Sequence, residues 1–295
     1  MRSHAGRHDT YRTLDAAALL LALAGLTGCA ATGPAARSDA AALTPARIAE
    51  IVASPERSEA DRRNDLRRKP EQMLGFVAVR PGMVALDLSA GGGYTSELLA
   101  RAVGPGGRVY AQSPPRVVRP PPAQPEGMAA PVATAPAPAA MPAPAAPPAP
   151  AGAAAPPVPA GLAARAQRVA NLVVVVQPFE SPVPAESASN GLDLVTLMFN
   201  YHDLGHMGVD RERMNRAVFA ALRPGGAYVI ADHSGRPGTG ISEAGTLHRV
   251  EEAFVRAEVE RAGFRLAGSA AFLRNPNDPR DRNTPEPPQP KDEFV

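Results

Sequence analysis

Two short runs in this chain set a histidine beside an aspartate: His202-Asp203, after Tyr201, and Asp232-His233, before Ser234. An imidazole titrates near neutral pH and a carboxylate beside it orients it, so either run suits a general base. His202, Asp203 and His233 are therefore the catalytic candidates. Tyr94, directly behind three consecutive glycines, adds a hydroxyl. Two other readings stay open. The aspartates could cap the segments that follow them while the histidines satisfy backbone groups. Alternatively, these residues, with His206 and His248 in reserve, could take a divalent ion. No tight i, i+4 pair is read among them, and no metal is expected.

Such groups need elements to position them. Val84 to Ala100, VALDLSAGGGYTSELLA, reads as strand, tight turn and helix: Val84, Ala85, Leu86 and Leu88 form an apolar run, and Leu98, Leu99, Ala102 and Val103 fall at helical spacing. Glycine lets the turn take positive φ and approach a ligand, while the N–H groups that open the helix face the same space. The unit is built to hold a nucleotide-like molecule. Arg108 to Gln112 reads as the next strand, and in a doubly wound sheet its end usually carries an acid that grips a ribose. Here Gln112 stands there, an amide that can bond hydroxyls without charge assistance.

The remaining elements are read in order. Thr44 caps a helix opened by Pro45, with Ile48, Ile51 and Val52 as its stripe. The charge-dense run Arg57 to Lys69 reads as a solvated helix face. Helices are expected over Leu162 to Val169, Asp210 to Leu222 and Thr246 to Ala262. Strands are expected at Leu172 to Val176, apolar on both faces as a buried parallel strand should be, and at Leu192 to Phe199, Ala227 to Ala231, Phe264 to Leu273 and around Phe294. This alternation implies one doubly wound, mostly parallel α/β sheet.

Composition bounds the rest. With 31 Lys+Arg against 29 Asp+Glu there is no field strong enough to call for a nucleic-acid partner. Many of the 34 prolines sit in Ser113 to Ala160, a Pro/Ala-rich insertion inside the domain that is too poor in large apolar residues to fold and is expected to be disordered. Arg2, Arg7 and Arg12, an apolar core from Ala16 to Leu26, and Leu26-Thr27-Gly28-Cys29 make a signal-peptide pattern ending in a tetrapeptide that resembles the lipobox of bacterial lipoproteins. The expectation is a signal peptide over 1–28, a lipid anchor on Cys29, a tether over 29–43 and a domain over 44–295. That resemblance implies a protein lipid-anchored in the cell envelope on the periplasmic side, or a cytoplasmic one if the start codon is misassigned.

Three segments together resemble the class I S-adenosylmethionine-dependent methyltransferases. Val84 to Gly93 is similar to their first motif, Gly191-Leu192-Asp193-Leu194-Val195 to their fourth strand, and Leu222-Arg223-Pro224-Gly225-Gly226 to the turn before their fifth. More narrowly, Ser54-Pro55 with Arg57, Asp61-Arg62, Arg68-Lys69-Pro70, Tyr201-His202-Asp203, and Asp232-His233-Ser234 with Pro237 to Gly240 are similar to a group of predicted bacterial methyltransferases of unassigned substrate. The resemblance implies a Rossmann-like seven-stranded sheet of order 3-2-1-4-5-7-6 with the seventh strand antiparallel. It implies S-adenosyl-L-methionine as cofactor and a small-molecule methyl acceptor. Asp87, Ser89, Gly91 and Gly93 would then lie along the methionine part of the cofactor and Gln112 at its ribose. Ser89 stands where that motif usually has glycine. The alternatives are a non-catalytic nucleoside- or cofactor-binding lipoprotein on a degenerate form of this fold and, more distantly, a dinucleotide-dependent oxidoreductase.

Overall fold

The computed structural model describes residues 40–115, 158–189, 191–283 and 290–295. The signal-peptide segment, Cys29, most of the tether and residues 116–157 of the insertion lie outside the described residues.

Thr44, in extended conformation, accepts a hydrogen bond from the Arg47 N–H and starts α1 (Pro45–Val52). Ser58 caps α2 (Glu59–Arg68) in the same way; each such cap contributes about 1 kcal/mol. Lys69, at φ +46°, turns the chain into α3 (Pro70–Val77). There follow β1 (Val84–Leu88), α4 (Tyr94–Val103), β2 (Arg108–Ser113), α5 (Ala160–Arg168), β3 (Leu172–Val176), β4 (Leu192–Met198), α6 (Tyr201–His206), α7 (Arg211–Ala221), β5 (Leu222–His233), α8 (Ala244–Leu247), α9 (Glu252–Arg261) and β6 (Glu293–Phe294). The strands make one sheet of order β3-β2-β1-β4-β5-β6, parallel throughout except that β6 runs antiparallel to β5.

Because strand side chains alternate between faces, the sheet feeds two cores. Ala85, Val109, Leu194 and Met198 point to one face, against Ile48, Leu74, Leu98 and Leu162 of α1, α3, α4 and α5. Leu86, Leu88, Val195 and Leu197 point to the other, against Tyr201, Met214, Val218 and Val255 of α6, α7 and α9. This is the doubly wound α/β arrangement expected of the chain.

Several expectations are corrected. The sheet has six strands among the described residues, not seven. Phe264 to Leu273 forms no strand: only the Ala270 N–H bond to Val295 O and the Glu293 N–H bond to Leu273 O tie it to the chain end, and Leu266 is exposed. β6 nonetheless holds the antiparallel place beside β5 that the resemblance assigns to a seventh strand. The helix read over Thr246 to Ala262 is two, α8 and α9, separated at His248, which takes the left-handed conformation at φ +51°. β3 is the sheet's edge and leaves Val173 and Val176 partly exposed, so its unbroken valines do not mark a strand covered on both faces. On α7, Phe219 is also partly exposed, capped by the edge of Phe264.

Candidate active site

β1 and β4 are neighbours whose following helices leave on opposite faces, so a crevice opens at their carboxyl ends. The turn after β1 has Ser89, Gly91 and Gly93 at φ +53°, +54° and +86°. Ser89 therefore adopts the conformation for which a glycine is usual, and hydrogen bonds support it: its N–H donates to Gln112 Oε1 at 2.8 Å and its hydroxyl to Asn200 Oδ1. The next N–H, of Ala90, donates to the Gln112 carbonyl at 2.9 Å.

Gln112 is thereby reassigned. Its side chain is fully buried, its carbonyl accepts from Ser89 and its amide donates to Gln177 O at 2.6 Å. Both ends are engaged within the protein, so Gln112 braces the turn and does not face a ribose. The two glycines also part company. A Cβ on Gly93 would lie 2.8 Å from both Leu162 Cδ1 and Arg165 Cδ, so this glycine permits helix packing, whereas a Cβ on Gly91 would meet only Ser89 O at 3.9 Å. Gly91 is where the turn is open to a ligand. Asp87 lies behind it, fully buried, accepting from the hydroxyls of Ser96 and Thr196 at 2.6 and 2.7 Å. Burial pushes its carboxyl up to about 6, against the pull of those hydroxyls and of the Arg68 charge.

The charged run is only in part a solvated face: Arg62, Arg63 and Arg67 are exposed, but Arg57 and Asp61 are buried. Asp61 receives both guanidinium nitrogens of Arg165 at 2.8 Å, and Arg165 also pairs with Glu97 and donates from Nε to Gly92 O at 2.8 Å. One arginine thus binds α2, α4 and the glycine turn to α5. Arg57 forms a fork with Asp65 at 2.7 and 2.8 Å, and the Tyr94 hydroxyl donates to the same Asp65 at 2.6 Å. Burial and that acceptor push the Tyr94 phenol up, which removes it as a base at neutral pH. Arg68 stacks on the rings of Phe199 and Tyr94, and with Met73, Leu98 and Met198 it encloses a space of about 30 Å³.

On the other side of the crevice stands the histidine cluster. The Asp232 carboxylate, at the end of β5, accepts the backbone N–H of His202 at 2.8 Å and that of His233 at 2.7 Å. It thereby fixes the start of α6. With both oxygens acting as acceptors, Nδ1 of His202 at 2.6 Å must be a donor, and Nε2 is turned toward Asp203 Oδ1, 3.2 Å away. Asp203 Oδ1 is also 3.1 Å from His248 Nδ1 and 3.9 Å from His206 Nδ1, while its Oδ2 accepts from Asn200 Nδ2 at 2.7 Å. The structure therefore joins His202 and Asp203 but sets His233 aside. Burial takes His233 down to about 3, its Nδ1 lies 2.9 Å from Glu293 Oε1 without the alignment of a hydrogen bond, and its ring packs against those of His202 and Phe199. It forms a wall, not a base.

Donor atoms of His202, Asp203 and His248 lie within 4.8 Å of one another, which reopens the metal reading. His202 and His206 are in fact four apart on α6, a pair missed where no helix was expected. Asn200, Thr196 and Arg68 were not among the candidates, and His248 was named only as a reserve metal ligand. Only Asn200, next to Tyr201-His202-Asp203, carried a local hint.

No protein-family model matches the chain, and no curated protein matches it. Among solved structures it is similar to a SAM dependent methyltransferase from Aquifex aeolicus, at 17% identity over 77% of this chain and 92% of that one, with a TM-score of 0.45. It is similar also to Aeropyrum pernix fibrillarin in complex with natively bound S-adenosyl-L-methionine, at 15% identity, 74% and 66% coverage and a TM-score of 0.42. The YcgJ protein from Bacillus subtilis stands at 15% identity, 68% coverage of each chain and a TM-score of 0.42.

Proposed function

We propose that this protein is an S-adenosyl-L-methionine-dependent methyltransferase acting on a small-molecule acceptor. One observation carries the reading. A continuous chain of contacts links the ligand-facing turn to the histidine cluster: the Ser89 hydroxyl bonds Asn200, Asn200 bonds Asp203, and Asp203 meets His202 Nε2. A nucleotide-like cofactor at Gly91 and an acceptor at His202 would lie in one crevice, as transfer between them demands. The sequence motif of the turn and the antiparallel β6 beside β5 support the choice of cofactor class.

When bound, the cofactor supplies a methyl group on a sulfonium; the chain's own residues orient and deprotonate. Gly91 leaves space for close approach, and Ser89 with Gln112 holds the turn's shape. Asp232 keeps His202 Nδ1 protonated, which leaves Nε2 as the proton acceptor for a hydroxyl, thiol or amine of the acceptor. A lipid anchor at Cys29 and a place in the cell envelope belong to the same proposal, motivated by Leu26-Thr27-Gly28-Cys29. A Cys29→Ala protein that fractionates just as wild type does would overturn that part.

The test is calorimetric titration of the full chain with S-adenosyl-L-methionine and, separately, with NAD. The expected result is a single site for the former, lost in Gly91→Val, whose side chain would strain the turn at φ +54° and take up the ligand's space. Binding of NAD alone would replace the reading with an oxidoreductase, and no binding of either would sink it.

A further inference from the structure

We infer that His202 Nε2, Asp203 Oδ1 and His248 Nδ1 form a binding site for a divalent transition-metal ion whose open position takes an oxygen ligand, water or an acceptor hydroxyl. Two of the three donor separations fit a single ion, and all three donors lie within 4.8 Å of one another. Two donors at about 2.0–2.1 Å from a tetrahedral ion lie roughly 3.3 Å apart; here the carboxylate oxygen is 3.2 Å from one imidazole nitrogen and 3.1 Å from the other. The donor set, two imidazoles and a carboxylate, is one that zinc, iron and cobalt accept.

The surroundings are organised as a metal site requires. A ligating histidine is oriented when its other nitrogen donates to a carboxylate, and His202 Nδ1 does so to the fully buried Asp232. With Nδ1 turned to Asp232, His202 presents Nε2 to Asp203 Oδ1 at 3.2 Å. Asp203 is aimed by Asn200 through its other oxygen.

His248 is delivered just as firmly. It takes the left-handed conformation at φ +51°, uncommon for a residue with a Cβ and a mark of positions held for a purpose. Its neighbour Arg249 is fully buried and forked onto Asp278 at 2.8 and 3.1 Å. Val250 then bonds His233 O through its N–H at 3.0 Å. His206 stands at the rim, its ring 6.1 Å from that of His248, as a third imidazole in reach. Three protein ligands leave a position free, the arrangement of catalytic ions; with an ion bound, His202 Nε2 would be its ligand and not the proton acceptor, and the ion would instead lower the pKa of a bound hydroxyl, whose proton passes to solvent water. The ion itself follows from the side-chain geometry alone; only the identification of its oxygen ligand as the acceptor rests on the methyltransferase reading.

Co²⁺ titration of the metal-stripped full chain, followed by visible absorption, tests the site directly. The expected result is one equivalent of bound Co²⁺ with d–d bands, displaced by Zn²⁺, and a rise in melting temperature on adding Zn²⁺. Asp203→Asn and His248→Asn, both at partly exposed side chains, should melt close to wild type without metal and weaken Co²⁺ binding at least about tenfold. Equal affinity in wild type and variants would assign the ion elsewhere, for instance to His4 and His8, and overturn the proposal. So would a blank titration. S-adenosyl-L-methionine titration of His248→Asn separates the two readings. Cofactor bound without any metal site would sink the ion alone, and metal bound without cofactor would sink the methyltransferase alone.

Discussion

Two clusters of charge flank the crevice, and they are built on opposite terms. Under the glycine turn, Asp61 and Glu97 are buried and each is met by the permanent cation of Arg165. Across the crevice, the basic groups facing Asp203 Oδ1 are not guanidinium but imidazole, those of His202, His248 and His206. Buried carboxylates paired with guanidinium fix geometry, because breaking the pair strands a charge away from water. A carboxylate among imidazoles can change its proton or its ion without such a penalty. The first arrangement holds the fold together and the second is free to do chemistry.

The largest effect should follow from breaking the first cluster. Arg165→Ala leaves Asp61 buried without an ion-pair partner, removes one of the guanidinium groups on Glu97, which keeps Arg101 at 2.8 Å, and frees the Gly92 carbonyl, so a loss of about 3–5 kcal/mol is expected in urea denaturation. Arg165→Lys should recover only part of it, since an ammonium cannot form the fork onto Asp61. A loss no larger than that of an exposed pair would show that α2 is not fastened in this way.

Asp87 lies between the two terms, a buried carboxylate whose nearest donors are hydroxyls. Folding raises its affinity for a proton from an ordinary value of 3.8 to about 6, so the folded chain binds more protons between those values. Its contribution to stability is whole below pH 3.8, falls as pH rises to about 6 and is gone above it; a shift of this size corresponds to about 3 kcal/mol. Asp87→Asn removes the titration, so the difference in unfolding free energy between variant and wild type should move in the variant's favour from pH 4 to 6 and then level off. A difference that stays flat across that range would mean that Asp87 is ionised at no cost.

A smaller effect separates two accounts of Gln112. As a ribose ligand it would gain from becoming a carboxylate. As the brace of the turn it would lose, because a glutamate has no N–H for Gln177 O, which then faces an acceptor with no water between them. Gln112→Glu is therefore expected to cost about 1–3 kcal/mol of stability and to tighten no cofactor.

What the sequence disclosed divides along the same line. β1 and β3 lie where the apolar runs Val84 to Leu88 and Leu172 to Val176 put them, and α1 begins at the Thr44-Pro45 cap, because periodicity and capping are local signals. The glycine turn was legible for the same reason. The pairing of Asp61 with Arg165 joins residues 104 apart, and the meeting of His248 with Asp203 joins residues 45 apart; neither leaves a trace in local pattern. The run Arg57 to Lys69 consequently read as solvent-facing although α5 supplies the counter-ion of Asp61, and Asp65 takes up both Arg57 and the Tyr94 hydroxyl of α4. Phe264 to Leu273 carried enough apolar residues to read as a strand, yet Ala267, Gly268, Ser269 and Ala270 offer little to bury, and the segment closes with two hydrogen bonds to the chain end.

The smallest change in stability is expected at the residue whose loss should matter most to function. Asp203 is about a quarter exposed, its Oδ2 is held by Asn200, and its Oδ1 faces nitrogen atoms only. In Asp203→Asn the new amide can turn its N–H toward His202 Nε2 while its oxygen still accepts from Asn200. The unfolding free energy should therefore stay within about 1 kcal/mol of wild type, as for a partly exposed group that strands no buried charge. Methyl transfer should nonetheless fall steeply, because the amide neither carries the charge that holds His202 and an ion in place nor accepts from His248 once its oxygen is turned to Asn200. Paired with Arg165→Ala, this variant isolates the contrast between the clusters. If Asp203→Asn destabilised the chain as much as Arg165→Ala does, both clusters would be structural and the chemistry would have to be sought elsewhere in the crevice.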